Sequence, residues 1–175
     1  MASISRSRRS TAGIILIIAG ALLLLTVILP LLNVTSVPWL ALLAYAGIAA
    51  AFVILAVGAV INTVAKVALI AGAVGWAILV IAGLAIALPG ILITIAAVLA
   101  ALGGLVGAIV LYTGKEITNR AALAFVVAAI LGVFYLLGLI GTFSLGSLGT
   151  VIALLFGAAV VVTGVLFRQT ERGRR

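Results

Sequence analysis

The side chains inside the apolar stretches of this chain that can do polar chemistry are Thr26, Tyr45, Trp76, Thr94, Tyr135, Thr150 and Thr163, and all are neutral. Its only acids, Glu116 and Glu171, lie in polar segments among basic residues. The chain has no His and no Cys. General acid–base catalysis needs a titratable pair, and nucleophilic catalysis needs an activating base. None of these hydroxyls has a base near it in sequence, so no catalytic residue is predicted and the chain reads as not an enzyme. With no His, no Cys and no acidic cluster, neither a metal site nor a cofactor site is predicted. Thr in an apolar helix usually bonds back to a carbonyl of its own helix. Trp76 and Tyr135 each need a partner for their N–H or O–H, which makes them the first places to look for a cavity.

The elements that must position these groups are announced by the cations. All ten Lys and Arg residues fall in four short segments. Arg6, Arg8 and Arg9 precede the first apolar run, and Lys66 follows the second. Lys115 and Arg120 follow the fourth, and Arg168, Arg172, Arg174 and Arg175 follow the sixth. The breaks after runs one, three and five carry no charge. Loops rich in Lys and Arg stay in the cytoplasm. The pattern predicts an all-α polytopic membrane protein whose six transmembrane helices form three consecutive hairpins, with both termini cytoplasmic.

Composition supports that class. Of 175 residues, 67% are hydrophobic and 7% charged, and the mean hydropathy is +1.61. A soluble domain is about half apolar and about a quarter charged. The net charge of +8 sits beside the spans, where it meets anionic lipid headgroups. No basic aromatic platform is present, so nucleic acid is not expected as a partner.

The expected spans are 11–32, 39–60, 67–88, 91–111, 121–140 and 148–167, flanked by a basic, mobile leader (1–10) and a basic, mobile tail (168–175). Each span is about 20–22 residues, or roughly 30–33 Å, the thickness of the hydrocarbon core. The first run is too long for a signal-peptide core of about 7–15 residues and reads as a retained span. Pro89-Gly90 is the tightest connection and predicts an antiparallel pair on either side of it. Trp39, Tyr112, Phe143 and Phe167 stand near span ends, where aromatic rings favour the headgroup region. Gly and Pro recur at a period near 55 residues, consistent either with tandem two-helix repeats or with chance in an Ala/Gly/Leu-rich chain. A three-plus-three inverted repeat is a further possibility.

Small residues are the most specific feature inside the spans. Ala96, Ala100, Gly104 and Ala108 recur every fourth residue of span four, with Gly103 and Gly107 beside them. Such a ribbon lets another helix approach closely. Packing within the chain is the first expectation for it, and contact between copies or a narrow pore the second. The topology-determining residues are Arg6, Arg8, Arg9, Lys66, Lys115, Arg120, Arg168 and Arg172.

The three-hairpin layout and the stretch from Gly13 to Pro30 (GIILIIAGALLLLTVILP) resemble the HdeD-type family of small bacterial membrane proteins. The resemblance covers nearly the whole chain. It implies a six-span fold and an association with acid resistance and stress, and it supplies no catalytic residues. The third repeat departs from the pattern, with Gly141 where a Pro would stand.

Together these features predict a non-enzymatic integral protein of a bacterial plasma (inner) membrane. Its role would be structural, accessory or stress-related, packing with itself as a homo-oligomer or with a larger membrane complex. The alternative is a passive channel or carrier for a small neutral solute. A wet path between the spans would favour the alternative, and a filled apolar core would count against it.

Overall fold

The computed structural model describes residues 6–35, 37–58, 62–84, 88–115, 117–141 and 146–169. Six α-helices account for nearly all of them: α1 (Arg6–Leu31), α2 (Pro38–Gly58), α3 (Thr63–Gly83), α4 (Gly90–Thr113), α5 (Asn119–Leu139) and α6 (Gly146–Gln169). Each is long and apolar enough to cross a membrane. In lipid a backbone N–H or C=O has no water to bond, so a spanning segment must satisfy its own polar groups, as a helix does.

The helix ends follow local chemistry more closely than hydropathy does. α1 begins at Arg6, within the segment expected to be a mobile leader. It ends in a paired-carbonyl motif just past Pro30. Val34 N–H bonds the Leu29 carbonyl at 3.0 Å and Asn33 N–H bonds the Pro30 carbonyl at 3.1 Å. Asn33 adopts φ 57° there, a left-handed conformation that Asn tolerates. α3 starts at Thr63, four residues before the expected Val67, because Asn62 caps it. The Asn62 side-chain oxygen accepts from the N–H groups of Val64 at 2.9 Å and Ala65 at 3.4 Å. α6 continues through Arg168 to Gln169.

The helices close a ring in chain order. Each packs against the two beside it, and α1 meets α6 to complete the circle; the described helices make no backbone contact across the ring. Two seams are unusually tight. At the α1–α6 seam a Cβ added to Gly164 would lie 2.5 Å from the Gly13 carbonyl oxygen, and one added to Gly20 would lie 2.8 Å from that of Gly157. At the α3–α4 seam a Cβ on Gly103 would fall on the Gly72 backbone, and one on Gly75 on the Ala100 backbone. No larger residue fits these positions without moving a backbone. In both seams, residue numbers rise on one helix as they fall on the other, so the paired helices run antiparallel.

That arrangement gathers the described cations at one end of the ring. Arg8 and Lys66 lie in the first turns of α1 and α3, Arg120 in the first turn of α5, Lys115 just past α4, and Arg168 in the last turn of α6. The chain between helices at the other end is uncharged. The flank of the ring is hydrocarbon, with Ile18, Leu43, Ile70, Leu102, Leu123 and Leu155 among its exposed side chains. Soluble monomers rarely expose contiguous apolar patches larger than a few hundred Å². A belt of this kind needs lipid as its solvent.

Candidate functional site: an aromatic core inside the ring

With no backbone crossing the ring, side chains must fill its interior, and aromatic rings do so in two layers. Nearer the uncharged end, four rings from four helices form a closed circuit. Tyr45 of α2 stands 5.2 Å from Trp76 of α3, which stacks at 6.2 Å and 9° on Phe156 of α6. Phe156 stacks at 5.2 Å on Tyr135 of α5, and Tyr135 meets Tyr45 edge-on at 6.4 Å. The Tyr45 and Tyr135 hydroxyls share a hydrogen bond of 2.6 Å. Nearer the basic end, Phe52 of α2 meets Phe125 of α5 at 5.8 Å, and Phe125 meets Phe167 of α6 at 6.0 Å, both edge-on. Offset-stacked and edge-on pairs are the favoured geometries for aromatic quadrupoles.

Between the layers lies a cavity of about 30 Å³, with Leu16, Phe52, Trp76, Gly104, Phe125 and Phe156 supplying one wall residue from each helix. One water needs roughly 10–15 Å³ of such volume and two to four polar partners. The volume would admit two or three waters at most, but the wall offers them almost nothing polar. Thr163 lines it too, yet its hydroxyl donates to the Ala159 carbonyl at 2.8 Å. Thr26 and Thr94 likewise donate to carbonyls of their own helices, Leu23 at 2.6 Å and Gly90 at 3.1 Å. These three threonines behave as expected from sequence. The tyrosine pair is less saturated. One hydroxyl donates to the other, so one O–H hydrogen is left for a third acceptor.

The structure brings part of the sequence-predicted set together. Trp76 lines the cavity, and Tyr135 abuts the same rings through Phe156. Ala96, Ala100, Gly103, Gly104, Gly107 and Ala108 are all buried, and they serve two neighbours. Gly103 and Ala100 lie against α3, where a Cβ on Gly107 would also touch Leu69. Gly104 instead faces the Phe52 ring, with room for a Cβ at 3.4 Å. The ribbon is therefore consumed inside the chain, and its tightest point is Gly103, not Gly104. Phe167 requires a correction. It reads from sequence as a headgroup-level ring, yet it is 0% exposed and packs on Phe125. Trp39 at 58% and Tyr112 at 45% are exposed near helix ends, and Phe143 lies outside the described residues.

The topology-determining residues do not converge on one site. Lys66, Lys115, Arg120 and Arg168 are exposed, and Lys115 takes φ 51° after α4. Arg8 donates from Nη1 to the Val57 carbonyl at 2.9 Å. Arg172, Glu116, Glu171 and the side chain of Arg6 lie outside the described residues. Among the described residues no group of His, Cys, Asp or Glu could hold a metal.

Sequence reasoning missed Phe52, Phe125, Phe156 and Phe167 as core residues. A signal existed in the spacing. Tyr45 and Phe52 are seven residues apart, and Phe156, Val160, Thr163 and Phe167 follow a 4-3-4 spacing; both place side chains on one helix face.

No protein-family model matches the chain, and neither a curated protein nor a solved structure is detectably similar to it.

Proposed function

We propose that the chain is a non-enzymatic multi-pass protein of a bacterial plasma membrane, crossing as three hairpins with both termini in the cytoplasm. It serves as a structural, accessory or stress-related component that packs with itself or with another membrane complex. The observation that carries this reading is the filled interior. The cavity inside the ring is about 30 Å³, apolar, and lies between two aromatic layers. A channel needs a continuous polar or wettable path, and a proton-coupled carrier needs an ionisable group within the bilayer. A catalytic site needs an acid, a base or a nucleophile with an activator. The apolar stretches 11–32, 39–60, 67–88, 91–111, 121–140 and 148–167 contain no Asp, Glu, His, Lys or Arg. The exposed apolar belt remains the surface through which such a protein meets lipid or other membrane helices.

The test is extraction in mild detergent, with the mass of the particle measured and co-eluting proteins identified. A stable particle larger than one chain, containing further copies or a reproducible second protein, is the expected result. A monodisperse single chain with nothing bound overturns the accessory reading. Protein-dependent flux of a neutral solute into liposomes would establish the passive-path alternative in its place.

A further inference from the structure

The helix ring cannot draw in around its cavity. At the α1–α6 and α3–α4 seams the backbones are already at closest approach. A Cβ on Gly164 would lie 2.5 Å from the Gly13 carbonyl oxygen, and one on Gly103 would fall on the Gly72 backbone. The aromatic rings on either side are fixed as well. Trp76 lies on Phe156 at 6.2 Å, and Phe52 meets Phe125 at 5.8 Å, so none of the four can swing inward without losing a partner. All four are buried. The space of about 30 Å³ between them is therefore held open by the fold. Its wall has slack at Gly104, where an added Cβ would meet only the Phe52 ring, at 3.4 Å. A void leaves its lining without dispersion partners on one side, and an occupant of the right size restores them.

We propose that this cavity is a binding site for one small apolar gas molecule. The chemistry of its wall selects the class. A water needs two to four polar partners, and the Thr163 hydroxyl on the wall is spent on the Ala159 carbonyl. Size selects within the class. An engineered apolar cavity of about 150 Å³ takes up benzene or xenon, and one about a fifth as large holds a single noble-gas atom or diatomic molecule. The faces of Phe52, Trp76, Phe125 and Phe156 offer such an occupant many carbon atoms at contact distance. The hydrocarbon around the ring supplies it, because apolar solutes leave water for an apolar medium. The inference goes beyond the accessory role and does not depend on it, since the cavity belongs to the ring whatever the ring packs against.

Xenon is the probe. Trp39 and Trp76 are the only tryptophans of the chain. Trp39 is exposed and outside the cavity, so Trp39→Phe leaves Trp76 as the sole reporter on the wall. The full chain with this change, in detergent, is held under rising xenon pressure while Trp76 fluorescence is recorded. Heavy-atom quenching that saturates with pressure is expected, from the blue emission of a tryptophan away from water. Quenching that rises only linearly, as from xenon dissolved in the micelle, overturns the site, and so does an emission red-shifted by water. Ala128→Val, which adds carbon to the wall, abolishes the saturating component. Ala124→Val, the same change one turn away on α5 and off the wall, keeps it. Gly104→Ala weakens it, and decides the matter if Ala128→Val fails to fold. Undiminished saturation in folded wall variants overturns the proposal. The accessory role is judged separately: a single-chain particle that still saturates with xenon refutes only that role, and a larger particle that never saturates refutes only the gas site.

Discussion

The phenol oxygens of Tyr45 and Tyr135 lie 2.6 Å apart and join α2 to α5, two helices with no backbone contact, across the interior of the ring. In hydrocarbon a hydroxyl left alone has no water to turn to, which should make the bond strong. Measured side-chain hydrogen bonds in membrane helices nevertheless average about 0.6 kcal/mol, with about 1.7 as an upper value. Tyr45→Phe and Tyr135→Phe should each lower stability by roughly 0.5–1.5 kcal/mol. The double variant should cost less than the sum, because either single change already breaks the shared bond. Denaturation of the four proteins in one detergent checks this. Strict additivity would mean that the two hydroxyls do not bond each other.

Gly103 and Gly104 are neighbours in sequence with opposite tolerances. A Cβ on Gly103 would fall on the backbone of Gly72, whereas one on Gly104 meets only the edge of Phe52 at 3.4 Å. Gly103→Ala should therefore spread the α3–α4 seam and cost about 1–3 kcal/mol, the usual range for overpacking. Gly104→Ala should cost well under that, since a ring can tilt by tenths of an ångström and a backbone cannot. Thermal melting in detergent distinguishes them. Equal losses would show that the close approach lies elsewhere on α4.

The contrast between these glycines also marks how far the sequence could be read. Helix number, approximate span and the alternation of charged and uncharged turns were legible, because composition and the position of each cation carry them directly. The assignment of faces was not. In water a helix shows its core side by an apolar stripe, but here α2 and α4 are apolar on every side, since lipid and core accept the same side chains. Phe167 illustrates the consequence. Its position near the end of α6 suggests a headgroup, and only packing against Phe125 reveals it as core. The α1–α6 seam was hidden for a related reason. Gly13 and Gly20 pair with Gly164 and Gly157, at opposite ends of the chain, and no local pattern connects them. The helix starts at Arg6 and Thr63 escaped a hydropathy reading because polar residues, Arg6 itself and the Asn62 cap, stand there.

Truncating Phe167 tests its burial. Phe-to-Ala changes in packed cores commonly cost about 3–5 kcal/mol. Phe167→Ala should approach that range, while Tyr112→Ala, at an exposed helix end, should change stability little. A small effect at Phe167 together with a large one at Tyr112 would return Phe167 to the headgroup region.

Orientation follows from the gathering of cations at one end of the ring. With no native Cys, single cysteines report cleanly. A Cys at Thr35, exposed near the uncharged end, should react with a membrane-impermeant maleimide on intact cells. A Cys at Thr118, exposed at the basic end, should react only after the membrane is opened. The reverse pattern would turn the molecule over.

The final prediction concerns protons. The apolar spans 11–32, 39–60, 67–88, 91–111, 121–140 and 148–167 contain no Asp, Glu, His, Lys or Arg, so their remaining titratable side chains are phenols, which ordinarily titrate near pH 10. No side chain within the hydrocarbon is poised to exchange a proton near neutrality. Nor is there charge within the spans for a membrane potential to move, though each elementary charge carried across would yield about 2.3 kcal/mol per 100 mV. Liposomes containing the protein should therefore hold a pH gradient as long as empty ones do, between roughly pH 6 and 8, and an imposed potential should not change that. A pH-sensitive dye trapped inside gives the measurement. Proton flux that requires the protein and disappears when Glu116 or Glu171 is changed to Gln would contradict the prediction. It would move the working part of the molecule out of the helix ring and into the polar segments at its basic end.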